Sequence, residues 1–168
     1  MDNSVSVRNE KRLSSMALFW VTVLATVGIG LTISYCSGIF GKVSAYASNL
    51  PFIIPKWLVI ATPPVLFLHL GIALFLVLNE NVYTSYGRMV RGWTWAFWIA
   101  LFISTAITPY FIYHGMPIAA YIMSTIATAL AVGTTILAYR GSIGSGVVMT
   151  VFTVVVALIM IYLAYWAF

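Results

Sequence analysis

Five apolar runs, each about as long as a bilayer-spanning helix, constrain this chain more than any motif in it. They occupy residues 16–40, 57–78, 93–113, 117–139 and 146–168. An α-helix rises about 1.5 Å per residue, so roughly 20 apolar residues cross a hydrocarbon core about 30 Å thick. With 62% of its residues hydrophobic and 7% charged, and a mean hydropathy of +1.05, the chain carries more apolar surface than a soluble domain of its size can hide. The reading is an all-α integral membrane protein. A polar, basic tail over residues 1–15 precedes a single five-helix domain over residues 16–168.

The connections leave no room for a soluble catalytic domain. The first apolar run is about 25 residues, longer than the roughly 7 to 15 of a secretory h-region, so it is read as an uncleaved span. The basic residues fall on alternate loops: Arg8, Lys11, Arg12, Arg88, Arg91 and Arg140 on one side, Lys42 and Lys56 on the other. That asymmetry predicts a cytoplasmic N-terminus and an external C-terminus. It also accounts for the net charge of +5, since the cations lack the clustering that nucleic acid requires. One cysteine, Cys36, excludes an internal disulfide and a thiolate cluster, and reads as a small apolar residue of the first span.

Two faces are marked by residue size. Thr22, Thr26, Gly30, Ser34 and Gly38 recur every four residues along the first span, and Ala120, Ser124, Thr128, Ala131 and Thr135 form a similar face in the fourth. Small residues let helix backbones approach closely, either inside one chain or across a homodimer seam, and the sequence leaves both open. His114, Gly115 and Met116 are nearly all that joins spans three and four, which makes those helices antiparallel neighbours. The first loop, Gly41 to Lys56, is the longest and reads as an interfacial cover on the bundle end. Trp93, Trp95 and Trp98, and Tyr162, Tyr165, Trp166 and Phe168, are placed as interfacial anchors.

The chemistry-bearing residues are few. Asp2, Glu10 and Glu80 are the only acids, and none lies well inside a span. General acid–base catalysis and ion-coupled transport therefore lack their usual groups, and no enzyme activity, catalytic residue or metal site is expected. His69 is the sole intramembrane ionisable candidate, about 18 Å along its helix from Trp57 and so near the bilayer midplane. It reads as a structural histidine bonded to a neighbouring helix, as a polar contact in a ligand cavity, or as a single axial haem ligand. Pro63 and Pro64 withdraw the helical donors of Val59 and Ile60, and Pro109 withdraws that of Thr105. Such breaks persist in lipid when protein groups satisfy the backbone, so both should face the interior, with Thr62, Ser104, Thr105 and Thr108 placed to help. Two bent helices leave a gap suited to a ligand.

In this layout Ala17-Leu18-Phe19, Pro55-Lys56-Trp57-Leu58-Val59 and the Pro109 and Phe111 of Ser104 to Ile112 fall in register with known motifs. The chain resembles the TspO/MBR family, the tryptophan-rich sensory or translocator proteins, which are five-helix membrane proteins with a long first loop. Ser104 and Ile107 stand where the family has asparagine and tryptophan, Pro63 about where helix two has its second tryptophan, and Val151, Phe152 and Val155 in place of the helix-five motif. The resemblance implies homodimers with an intrabundle cavity that takes porphyrin, haem or sterol-like flat apolar molecules, and it carries over only Trp57, Pro109 and Phe111 as matched residues.

The combined expectation is a ligand-binding membrane protein whose cavity wall includes Trp57, Phe67, His69, Pro109, Tyr110 and Phe111. The alternative is a non-catalytic accessory subunit of a larger respiratory or oxidase-type membrane complex, contacted through the small-residue stripe of the first span.

Overall fold

A computed structural model of the chain describes residues 3–36, 55–79 and 85–168. Five helices account for nearly all of them: α1 (Asn3–Cys36), α2 (Lys56–Asn79), α3 (Ser85–Tyr113), α4 (Pro117–Gly141) and α5 (Ile143–Ala167). Each contains a segment long and apolar enough to span a bilayer: Ser15–Cys36, Ile60–Asn79, Gly87–Tyr113, Pro117–Gly141 and Ile143–Ala167. The expected all-α five-helix membrane bundle is thus the observed architecture. Residues 37–40 of the first run, Gly38 among them, and the first loop up to residue 54 lie outside the described residues.

The helix ends differ from the hydropathy boundaries for a simple reason. Hydropathy marks the part of a helix that sits in lipid, whereas the hydrogen-bond ladder continues into water until the sequence stops it. Thus α1 begins at Asn3, within the polar tail, which contains neither glycine nor proline. Likewise α3 begins at Ser85, eight residues before Trp93. At the other extreme α5 starts at Ile143, because Ser142 alone separates it from α4. The extended backbone of Ser142 (φ −155°, ψ 128°) ends one helix and begins the next.

The α3–α4 turn is equally short and depends on one glycine. Gly115 has φ 66°, a left-handed conformation that side chains disfavour. Its N–H donates to the carbonyl of Ile112 at 3.1 Å, and that of Met116 reaches back to Phe111 at 2.9 Å, closing the last turn of α3. Pro117 then opens α4 at a position where no N–H is needed.

Neighbouring helices run antiparallel. Ser15 of α1 donates to Asn79 Oδ1 at the far end of α2, at 3.0 Å. Arg91 near the start of α3 extends its guanidinium to the carbonyls of Val77 and Leu78 at 3.4 and 3.3 Å. A cation there meets the negative end of the α2 dipole. Between α4 and α5, Thr135 pairs with Thr153 at 2.8 Å and Tyr139 with Thr150 at 3.0 Å. Arg88, Arg91, Arg140 and the first residues of α1 consequently share one end of the bundle, and Phe168 lies at the other.

Helix α2 is central: it alone packs against all four others. Its spanning window is 44% buried, against 33% or less for the rest. Leu66, Phe67, Leu70 and Ala73 of α2 form the core with Leu101, Phe102 and Ala106 of α3, Ala127, Ala131 and Ala138 of α4, and Met149, Phe152 and Val156 of α5. Two polar side chains lock α2 in place. Trp98 donates from Nε1 to the Leu70 carbonyl at 3.1 Å, and Ser145 from Oγ to the Ala73 carbonyl at 3.0 Å.

The small-residue stripe of α1 is used within the chain. Thr22, Thr26, Gly30 and Ser34 are all buried. A β-carbon on Gly30 would overlap the Phe67 ring, and one on Gly71 of α2 would sit 3.0 Å from the Val23 Cα. On the packing face of α4, Ala120, Ser124 and Ala131 are buried, at 2% exposure or less, while Thr128 and Thr135 are half-buried.

Candidate functional site

The packing that brings α1, α5 and α2 together leaves α2 and α3 in only light contact. Between them opens a cavity of about 350 Å³. Leu58, Thr62, Pro63, Leu66 and Phe67 of α2 form one wall; Thr105, Thr108, Pro109 and Ile112 of α3 face them. Ser124 and Ala127 of α4 and Val155, Val156, Ile159, Tyr162 and Leu163 of α5 complete the enclosure, with Ser34 of α1. All these positions lie in the half of the bundle nearer the α3–α4 turn, away from the arginines.

Most of the wall is buried. Phe67 and Leu163 are each 1% exposed, whereas Leu58 and Leu158, the exposed members of the described wall, form its rim at 43% and 61%. No charged side chain is among the described lining residues. The interior is therefore a hydrocarbon-like space with a few hydroxyls, and its size falls in the range of about 300 to 1,000 Å³ typical of small-molecule sites.

Both proline breaks meet the cavity, since Pro63 and Pro109 line it. The hydroxyls that were expected to satisfy the freed carbonyls bond elsewhere. Thr62 donates to Leu58, Ser104 to Ala100 and Thr108 to Ser104, at 2.7 to 2.8 Å, each within its own helix turn. Bonding to the carbonyl four residues back is the nearest option for a helical Ser or Thr and competes with any longer reach. The Thr105 Oγ1 is buried and has no hydrogen-bond partner.

Of the six expected wall residues, the structure brings together Phe67 and Pro109. Trp57 is 68% exposed near the start of α2, away from the cavity. Tyr110 is 46% exposed, and its ring meets that of His114 at 4.4 Å. Phe111 packs beside Ile112, Ala120 and Leu163 without lining the space. His69 lies on the partly exposed side of α2, near exposed Val65 and Leu68 and outside the described wall. Its Nδ1 donates to the Val65 carbonyl at 2.7 Å, a bond within its own helix rather than to a neighbour. No group of three or more His, Cys, Asp or Glu side chains is gathered for a metal among the described residues. Haem does not fit the described wall: the one intramembrane histidine is not part of it, and no cation among the described lining residues is there to meet carboxylates.

Sequence reasoning missed most of the α5 wall, and the cause is visible in the residues. The helix reads Val-Val-Ala-Leu-Ile-Met-Ile across 155–161, apolar on every face, so no periodicity distinguishes the side turned inward. Ser124 and Ser34 did carry a signal, because both belong to the small-residue faces. Comparison of the chain with protein-family models, curated proteins and solved structures finds no match.

Proposed function

We propose that this protein binds a flat, neutral hydrophobic molecule inside its bundle, in the manner that the resemblance to TspO-like proteins implies. The observation that carries the reading is the cavity between α2 and α3, with Pro63 and Pro109 in its wall and no described charged residue on its surface. A site of that kind gains affinity from apolar area removed from lipid and water, and disfavours ions because its described lining offers no charge to pair them with. Phe67 and Tyr162 are the aromatic faces available for stacking. Sterol-like neutral molecules suit this lining better than haem or porphyrins that carry carboxylates.

The orientation proposed is N-terminus inside, from the arginines gathered at one end of the bundle. For the accessory-subunit alternative, the stripe that would have met a partner is occupied by α2.

The test is a titration of purified protein with a panel of flat apolar ligands, read as ligand-dependent thermal stabilisation, alongside Ala127→Leu. Ala127 is 2% exposed and lines the cavity, so leucine there occupies the ligand's space. Saturable stabilisation of the wild type that the variant lacks is the expected result. Absence of saturable binding by every neutral ligand, or binding unchanged in Ala127→Leu, would overturn the proposal.

A further inference from the structure

The cavity has one polar feature unlike the rest of the bundle. The other threonines with described side chains, from Thr22 to Thr153, each hold a hydrogen bond. Thr105, in the cavity wall, does not. The same residue also bears the carbonyl that Pro109 deprives of its helical donor, and no side chain among the described residues bonds it instead. One residue of the wall thus carries both an O–H and a C=O that no described side chain bonds, whereas the hydroxyls of Thr62, Thr108 and Ser124 in the same lining are already engaged. A buried hydroxyl without a partner costs about 1 to 3 kcal/mol, so an occupant able to complete both groups is favoured over one that cannot.

We infer that the occupant is an alcohol: a neutral lipophile whose hydroxyl accepts from Thr105 Oγ1 and donates to the Thr105 carbonyl. This rests on the cavity-binding reading above and specifies the ligand within it. A ketone or quinone oxygen can accept but has no proton for the carbonyl, and a hydrocarbon serves neither group. A threonine on a helix has two accessible χ1 rotamers, which gives Oγ1 the freedom to turn to an occupant's hydroxyl. The rim residues Leu58 and Leu158 are apolar, so such a molecule reaches the site from the hydrocarbon of the bilayer rather than from water.

The experiment uses the full chain in lipid nanodiscs and two photolabels: a diazirine-bearing octan-1-ol and the same diazirine alkane without its hydroxyl, compared at equal mole fraction in the bilayer. Both should label the wall segments of α3 or α5, with half-saturation for the alcohol about fivefold lower, the factor expected of one net hydrogen bond. T105V removes Oγ1 but keeps the backbone carbonyl, so it should diminish that advantage without changing labelling by the alkane, and T105S should keep it in full. Equal labelling by the two probes in the wild type, or an alcohol preference undiminished in T105V, overturns the assignment of the hydroxyl while the cavity reading stands. Failure of both probes to label the wall overturns the cavity reading and this inference with it.

Discussion

Gly30 of α1 lies directly against the ring of Phe67 on α2, with no room for a β-carbon between them. Phe67 is 1% exposed, meets the Phe102 ring at a 52° tilt with centroids 5.2 Å apart and lines the cavity, so the close approach of α1 fixes one wall of the site. Gly30→Ala should therefore push the ring aside, lowering stability by about 1 to 3 kcal/mol as overpacked cores do. Thermal unfolding in detergent measures it. An unchanged midpoint together with unchanged ligand binding would show that the ring is not held by this contact.

Pro109 separates the Thr105 carbonyl from a helical donor. Pro109→Ala restores the N–H at that position, and the fourfold-spaced bond it permits draws α3 toward a straight helix. The expected outcome is a protein of equal or greater thermal stability that binds its hydrophobic ligand about tenfold more weakly, because a straighter α3 narrows the gap against α2. Retained affinity would mean that the gap does not depend on this proline.

His69 and Trp57 both stand outside the described cavity wall. Replacing either by leucine should leave ligand affinity within about twofold, since neither contacts the occupied space. The His69→Leu change also removes only a bond within its own helix. A loss of binding in either variant, measured by the same titration as the wild type, would place that residue in the site and argue against the cavity as its location.

The orientation is open to a direct measurement. A cysteine introduced at Phe168, which is 90% exposed, should react with an impermeant maleimide added outside intact cells, and one introduced at Arg88 only after permeabilisation. Cys36 is exposed and is replaced by serine in both variants to clear the background. The reverse pattern of labelling would invert the topology.

Hydropathy read the bundle correctly at the level of spans because the bilayer sets it. Hydrocarbon thickness fixes how long an apolar run must be, and five such runs are plain in the sequence. Residue size added a second legible layer: the described part of the α1 stripe and Ala120, Ser124 and Ala131 of the α4 face are buried, since small residues permit such close approach. Proline chemistry pointed to α2 and α3, and both Pro63 and Pro109 border the cavity.

Tertiary structure decided the rest. A membrane helix is apolar toward lipid and toward protein alike, so hydropathy does not mark which face turns inward. For that reason the α5 wall, the outward placement of His69 and the choice of α2 as the central helix were not legible in the residues. Nor does chain order reveal that sequence neighbours α2 and α3 touch lightly while α2 packs on α1 and α5. Those choices follow from which side chains interlock at short range, such as Phe67 with Gly30 and Ser145 with the Ala73 carbonyl. Such contacts exist only once the helices are assembled, and they are what leave the space beside Thr105 unfilled.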